Sequence, residues 1–423
     1  MIANTSITSY STLSANPAAS ILDYINGTNV TPTIISTAYN IPSNTASNVK
    51  VGIISLGGGW QPSDLQKSLG NLSVTLARSI TSVLVDGAGN VFSISDSNAS
   101  LENTLDLYCV AGMAPSANIV LYTGQNSVMG FANVINRAIN ENCDIISVSW
   151  GLDEYYNTYG TFLETAFANA ATQGITVCVA SGDYGSSSGS TPRVLSVGYP
   201  AASPNVVAVG GTVLTYNTSS YSRVTESVSS LSGGGISTVF SVPSWQTGLT
   251  YQKYFTSNSS YGPSTALTGR GVPDVSAPYQ TYPLWYNGTI ASVSGTSASA
   301  PIIAGMFARY MSMNGGRRPV INGIHPILYS NINAYSDLTT GTNADPLPAG
   351  YAANIGWDPV VGMGAPIGTV LYPMITSGGT KIKTAANTWS YVSNVKVKTG
   401  STTWSNVKAV WTKVNSTTWK QTF

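Results

Sequence analysis

From residue 49 onward, short apolar runs rich in β-branched residues alternate with longer stretches of helical spacing. Residues 49–56, 118–123, 144–150, 175–180 and 206–210 read as strands, and 128–140 and 161–172 carry the i, i+3, i+4 pattern of amphipathic helices. Strands that are apolar on both faces, separated by helices, predict a parallel sheet covered on both sides. Open sheets of this kind hold their sites at the carboxyl ends of strands, where Trp150-Gly151 and Ser181-Gly182-Asp183 fall. Residues 1–30 are polar and irregular and read as an arm. From about residue 380 the pattern changes. Trp389, Trp404 and Trp419 recur at a spacing of 15, Ser-Thr-Thr-Trp occurs twice, and 395–399 alternate like a strand with one wet face. The expected organisation is an arm at 1–30, an α/β body at 31–375 and a small all-β appendage of strand–turn repeats at 380–423.

Charged residues make up only 8% of the chain, so Ser, Thr, Asn and Tyr must cover much of its surface. Such a surface suits acid, where carboxylates lose their charge and lysines would repel one another. The net charge of +1 conceals an asymmetry, −6 over residues 1–380 and +7 over 381–423. That layout marks a difference between domains rather than a nucleic-acid site, and no aromatic–basic module stands out. Cys109, Cys143 and Cys178 are odd in number and two lie in apolar runs, which favours buried free thiols over a disulfide framework. The first twenty residues lack the basic start and apolar run of a signal peptide, and no apolar run of 18 residues predicts a membrane span.

Candidate chemistry centres on Ser294-Gly-Thr-Ser-Ala-Ser-Ala-Pro301, followed by a helical pattern over 302–311. A serine at a helix start lies near backbone N–H groups and the positive end of the dipole, which favours a developing alkoxide. Pro301 suits a first helical turn. The usual base for such a serine is histidine. The single histidine, His325, follows the serine in a Gly-Ile-His-Pro turn, in the wrong order for a histidine-dependent subtilase, and reads as structural. The base must then be a carboxylate. Glu102 and Asp106 stand at i and i+4 and share one helix face; sharing one proton would give a tuned base, whereas a solvated acidic pair is the ordinary alternative. Asp183, ending a buried strand, could donate a hydrogen bond to an oxyanion while protonated, or serve only as a turn residue before glycine.

Ser294–Pro301, Glu102-x-x-x-Asp106, Ser147-Val-Ser-Trp-Gly151, Ser181-Gly-Asp183, Ala208-Val-Gly-Gly-Thr212 and Gly269-Arg-Gly-Val-Pro-Asp274 resemble, in order, the sedolisin (serine-carboxyl peptidase) family over roughly residues 30–372. The resemblance implies a subtilisin-like fold and an acid-acting endopeptidase for protein or peptide substrates. It implies Ser297 as nucleophile, Glu102 as base, Asp106 orienting Glu102, and Asp183 at the oxyanion hole. It also implies one structural Ca²⁺, held by the carboxylates of Asp337 and Asp358 and the carbonyls of Leu338, Asn354 and Gly356; such all-oxygen ligation is what Ca²⁺ prefers. Asn354 stands where the family usually has glycine, a change a carbonyl ligand survives. The resemblance does not extend to the family's long pro-domain, because the mature-like start lies within about thirty residues of Met1. Ser55 stands where some members carry an acid. The Trp-punctuated tail is similar to small repeats of phage and other particle-surface proteins. A second reading is therefore a particle-associated structural or binding protein that retains a peptidase body, in which the basic tail docks to a larger assembly. The matching location is extracellular or on a virion or other particle.

Overall fold

Seven of the strands pair side by side in the order Arg223–Val228, Val207–Tyr216, Thr176–Ala180, Ile145–Val148, Lys50–Ser55, Asn118–Thr123 and Thr81–Leu84. All are parallel except Arg223–Val228, which returns antiparallel along Val207–Tyr216; Val275–Pro278 adds an eighth, parallel strand beside Val209–Thr212. This computed structural model describes residues 20–89, 91–93, 97–154, 160–189, 193–316, 318, 324–345 and 347–376, together with the backbone of short strands at 2–3, 6–9 and between 381 and 421.

The strands are apolar on both faces because each face has its own core. Val51, Ile53, Ile119, Leu121, Ile145, Cys178, Ala180, Val207 and Val209 point into one core. Ile54, Val120, Tyr122, Ile146, Val148, Val177, Val179 and Ala208 point into the other. This two-residue alternation follows from the pleat. The helices Val128–Asn140 and Gly160–Thr172 pack together over the second core. Over the first lie Ser97–Met113 and Thr296–Met313, packed against each other. Cys109, Cys143 and Cys178 are all free and buried. Among the described residues no helix is long and apolar enough to cross a membrane.

The Ser97–Met113 helix is wedged between the sheet and three other helices, Pro32–Ala38, Pro62–Asn71 and Thr296–Met313. Residues 99–113 are accordingly buried on every side. Its start is fixed by the loop after Lys50–Ser55. Asn103 Nδ2 donates to the carbonyls of Gly57 and Gly59 at 3.1 and 3.3 Å. Gly58 adopts φ +65°, and a Cβ there would lie 2.7 Å from the backbone of Ala99 and Ser100, so a side chain would push the helix away.

The described parts of the first thirty residues are less irregular than their composition suggests. Ile21–Tyr24 forms a 3₁₀ turn with a Ser20 capping box, and Ile2–Ala3 and Ser6–Ser9 are strands that pair with the body. In the tail, three successive antiparallel pairs form: Lys381–Ala385 with Thr388–Tyr391, Lys396–Lys398 with Trp404–Asn406, and Trp411–Lys413 with Trp419–Gln421. Their registers set Lys383 opposite Trp389, Lys398 opposite Trp404 and Lys413 opposite Trp419, so the 15-residue spacing is that of one hairpin. The side chains of these tryptophans and lysines lie outside the described residues.

Candidate active site

Ser297 sits at a strand-to-helix turn. The strand Thr289–Ser294 ends at Gly295, whose φ of 147° and ψ of 161° suit glycine and little else, and the helix begins at Thr296. Gly295 N–H donates to the Tyr279 carbonyl at 3.0 Å, which anchors the turn. Ser297 is thus the second helical residue, fully buried at the positive end of the dipole. The helix starts earlier than the sequence pattern indicated. Pro301 is therefore not in the first turn but the sixth helical residue. A proline there has no N–H to give the carbonyl four residues back, which belongs to Ser297. The Ser149 hydroxyl approaches that carbonyl instead, at 3.3 Å.

Glu102 and Asp106 are the only charged residues on the Ser97–Met113 helix, and both are buried. Ser149 Oγ donates to Asp106 Oδ1 at 2.8 Å. A hydroxyl has one proton, so Ser149 satisfies both Asp106 and the Ser297 carbonyl only when Asp106 is itself protonated and donates to Ser149. Burial pushes the Glu102 carboxyl well above the ordinary range, and the charge of Asp106 raises it further; the Ser297 hydroxyl pulls it back, Asp183 adds a weaker upward push, and Ser149 a downward one. Asp106 is raised as well, first by burial, with the Ser149 hydrogen bond opposing. Two carboxyls this close in a dry site hold a proton between them to higher pH than either would alone. Neither Glu102 oxygen has a hydrogen bond of tight geometry, and such bonds are often loose until substrate closes the site.

Asp183 joins this group from the loop after Thr176–Ala180. Its Oδ1 accepts from the Thr296 backbone N–H and the Thr296 hydroxyl, both at 2.8 Å, while Gly182 N–H donates to that same hydroxyl at 3.1 Å. Thr296 therefore clamps the Asp183 carboxyl beside the residue that precedes Ser297. Ser149 and Thr296 hold these carboxyls, and the sequence singled out neither for that task. The legible signal for Ser149 was its place at the carboxyl end of a buried strand.

His325 lies in another cluster. Its ring stacks on Trp245 with centroids 4.6 Å apart, and Nε2 is 2.8 Å from the Val206 carbonyl and 3.6 Å from Asp274 Oδ2. Asp274 pairs with the buried Arg270 at 2.6 Å and accepts from the Tyr329 hydroxyl at 2.6 Å. Burial alone would raise Asp274, but Arg270, helped by His325, holds it well below the usual range. These contacts give His325 a structural place, as its position in the sequence indicated.

Asp337 and Asp358 meet near the end of the body. Gly356 N–H donates to Asp337 Oδ2 at 2.8 Å, and Asn354 N–H to Asp358 Oδ2 at 3.0 Å. Asp358 Oδ1 accepts from Val360 and Val361 N–H at 2.8 and 3.0 Å. Burial raises Asp337, and burial with the nearby Asp337 charge pushes Asp358 to about 7. Asp337 Oδ1 is buried without a protein donor. Among the described residues no three His, Cys, Asp or Glu side chains gather as a metal cluster, and the contacts these two carboxyls make are with backbone N–H groups.

Comparison with known proteins places the whole in context. The subtilase family profile matches residues 99–320, about half of the chain. Kumamolisin of Bacillus sp. (strain MN-32) is 34% identical over 356 residues, covering 80% of this chain and 62% of its own. Sedolisin of Pseudomonas sp. (strain 101) is 34% identical over 368 residues, covering 79% of this chain and 59% of its own. The chain therefore spans less than two thirds of the length of these relatives. A solved structure of Pseudomonas sedolisin, a serine-carboxyl proteinase in complex with pseudo-iodotyrostatin, superposes with a TM-score of 0.68 at 28% identity, covering 84% of this chain and all of its own. The parallel sheet with its flanking helices and the Gly295–Ser297 turn thus carry a subtilisin-like fold, and the chain belongs to the subtilase family, in its sedolisin-type branch.

Proposed function

We propose that this chain is an acid-acting serine-carboxyl endopeptidase that hydrolyses protein or peptide substrates through an acyl-enzyme on Ser297. The observation that carries the reading is the buried set around Glu102: the Ser297 hydroxyl, Asp106, Asp183 and Ser149 all act on its carboxyl, and no histidine is among them. Ser297 Oγ attacks the scissile carbonyl while Glu102 takes its proton. Asp106 shares that proton and Ser149 orients Asp106. Asp183, protonated and clamped by Thr296, donates to the oxyanion. Glu102 returns the proton to the leaving amine, and water then hydrolyses the acyl group. Digestion of an oligopeptide library by the native chain and by Ser297→Ala tests this. Fragments produced equally by both would defeat it.

The Asp337–Asp358 site fits a Ca²⁺ ion. An orphaned carboxyl oxygen and two facing acids, one raised to about 7, are the features a cation would answer. Asp337 and Asp358 would bind it with the carbonyls of Leu338, Asn354 and Gly356, and the ion would supply positive charge that ties the two segments together. A ligand bound by the folded state alone stabilises it by mass action, by about 3 kcal/mol at a hundred times its Kd. Chelation near neutral pH should therefore lower the thermal midpoint by several degrees, and added Ca²⁺ should restore it. An unchanged melting curve would remove the metal.

We infer that the tail is a docking appendage for a particle or other larger assembly, a reading that goes with an extracellular or particle-bound location. Its support is a +7 charge and the hairpins that repeat a lysine opposite a tryptophan. The body's last buried residues, Leu371, Met374 and Ile375, precede it. Ending the chain before Thr380 should leave oligopeptide cleavage within about twofold, since the proposed catalytic groups all lie upstream, while particle incorporation is lost. A shortened chain that still co-purifies with the particle would contradict the docking role.

A further inference from the structure

The three tail hairpins sort their residues onto faces in one repeated way. In an antiparallel pair, residues opposite one another share a face, and so do residues two apart along a strand. The registers therefore put Lys381, Lys383, Trp389 and Tyr391 on one face of the first hairpin. Lys396, Lys398, Trp404 and Asn406 share the corresponding face of the second. Trp411, Lys413, Trp419 and Gln421 share that of the third. The opposite faces take Ile382 with Ser390, Val397 with Ser405, and Thr412 with Lys420. Each hairpin thus sets a lysine directly across from a tryptophan, and Tyr391, Asn406 or Gln421 follows two positions after that tryptophan.

A face of this composition makes a poor core. Burying the tryptophans would take the facing lysines in with them, and a buried ammonium is strongly destabilising unless a carboxylate pairs with it. No Asp or Glu follows Asp358, so the tail has no acidic side chain of its own to offer. The counter-charge must come from outside the tail, on a partner that also suits a flat indole ring. The cations narrow its chemistry. All of them are lysine, since the last arginine of the chain is Arg318. Arginine's planar fork is the usual reader of paired phosphate oxygens and base edges, whereas lysine acts as a compact point charge that serves a single carboxylate. A sugar acid carries one carboxylate, several hydroxyls and an apolar C–H face that stacks on indole. Lysine, the Tyr, Asn or Gln position, and tryptophan answer these in turn. A polymer repeats its unit, and so does the tail, with Trp389, Trp404 and Trp419 at a spacing of 15.

We propose that the tail hairpins are a binding surface for an acidic polysaccharide, a chain of uronic-acid-type sugars, with the lysine–tryptophan pair of each hairpin engaging one sugar acid. This deepens the docking role and rests on that reading only for the link to a particle; the sugar chemistry rests on the register and the charge. Each contact alone is weak. Three on one polymer reinforce one another, since the second and third bind at the effective concentration set by the first. The charged part of the attraction falls as salt is raised, while the stacking part remains.

Binding of the full chain to polygalacturonate, to its methyl ester, to oligo(dT) and to polyglutamate, measured by calorimetry, tests this. Polygalacturonate should bind at least about tenfold more tightly than the methyl ester, which keeps the ring and loses the charge, and than either of the other two polyanions. Changing Trp389, Trp404 and Trp419 together to Ala should weaken it by about a hundredfold or more. Changing Lys383, Lys398 and Lys413 together to Gln should weaken it by at least about tenfold and leave oligopeptide cleavage unchanged. Gln keeps the chain length of the face, so the lysine variant reads the surface even where three alanines disorder the hairpins. Polygalacturonate that does not bind, or binds no better than its methyl ester, overturns the proposal. Equal or tighter binding of oligo(dT) or polyglutamate does so too, as does native affinity in either triple variant. A chain ended before Thr380 that is lost from the particle, while the full chain ignores polygalacturonate, removes the sugar and leaves the docking role standing. Polygalacturonate binding by the full chain, with undiminished particle incorporation of the shortened one, supports the sugar site and removes the docking role.

Discussion

Glu102→Gln should lower kcat/KM on an oligopeptide by roughly three orders of magnitude or more, and Ser297→Ala by about 10⁴ to 10⁶. The double variant should lose little beyond Ser297→Ala alone. Gln keeps the shape of Glu102 but cannot take the serine proton, so the nucleophile stays a poorly reactive alcohol. Once the serine is gone, a base has nothing to activate, which is why the losses should not add. Asp106→Asn should fall between native and Glu102→Gln, because it spares the base and removes only its proton-sharing partner. Asp183→Ala strips the carboxyl that Thr296 clamps and should cost about 10² to 10³ in kcat. Steady-state rates for the four single variants and the double decide it. Losses that multiply would mean these residues do not work as one unit.

A second large effect should appear in the pH dependence of both activity and stability. Glu102 and Asp106 are raised by burial and, for Glu102, by Asp106. The folded state therefore holds protons that the unfolded chain releases above its ordinary carboxyl pKa of about 4. For a raised carboxyl the sign is the reverse of the common case: its stability contribution is present in full below pH of about 4 and is lost as pH rises through the folded value. Each extra proton held by the folded state costs about 1.4 kcal/mol for every pH unit of that rise. Activity should fall over the same direction, because ionising the pair and Asp183 sets negative charge against the oxyanion. Thermal midpoints from pH 3 to 8 should decline toward neutrality, with Asp358, raised to about 7, adding to the same fall. Glu102→Gln should flatten that decline. A native midpoint that rises from pH 4 to 7 would put these carboxyls in the wrong charge state.

What the sequence disclosed follows from how each part is stabilised. The central strands were legible because burial on two faces demands an unbroken apolar run, and 49–56, 118–123 and 175–180 have one. Thr81–Leu84 escaped because it is a partly exposed edge strand with Thr and Ser at its start. Arg223–Val228 escaped for the same reason, with Arg, Thr and Glu on an antiparallel edge. The start of the Thr296–Met313 helix was placed late because Pro301 ordinarily marks a first turn, and only the Ser149 hydroxyl explains how an internal proline is tolerated there. The i, i+4 spacing of Glu102 and Asp106 was plain, but spacing cannot tell a solvated acidic pair from a dry one. Burial of Leu101, Leu105, Val110 and their neighbours on all sides of that helix makes the difference, and it is a tertiary fact. The arm was opaque altogether, since strands of two and four residues owe their existence to the edges they pair with rather than to their own pattern.

The decisive comparison sets Ser297→Ala beside His325→Gln on one oligopeptide, in acid, with folded protein in both samples verified by circular dichroism. Gln can still donate to the Val206 carbonyl, so the cluster around Asp274 keeps that hydrogen bond. A carboxylate-based serine peptidase predicts a loss of about 10⁴ or more for Ser297→Ala and a change within about tenfold for His325→Gln. Comparable losses in the two variants, or substantial cleavage by Ser297→Ala, would contradict it.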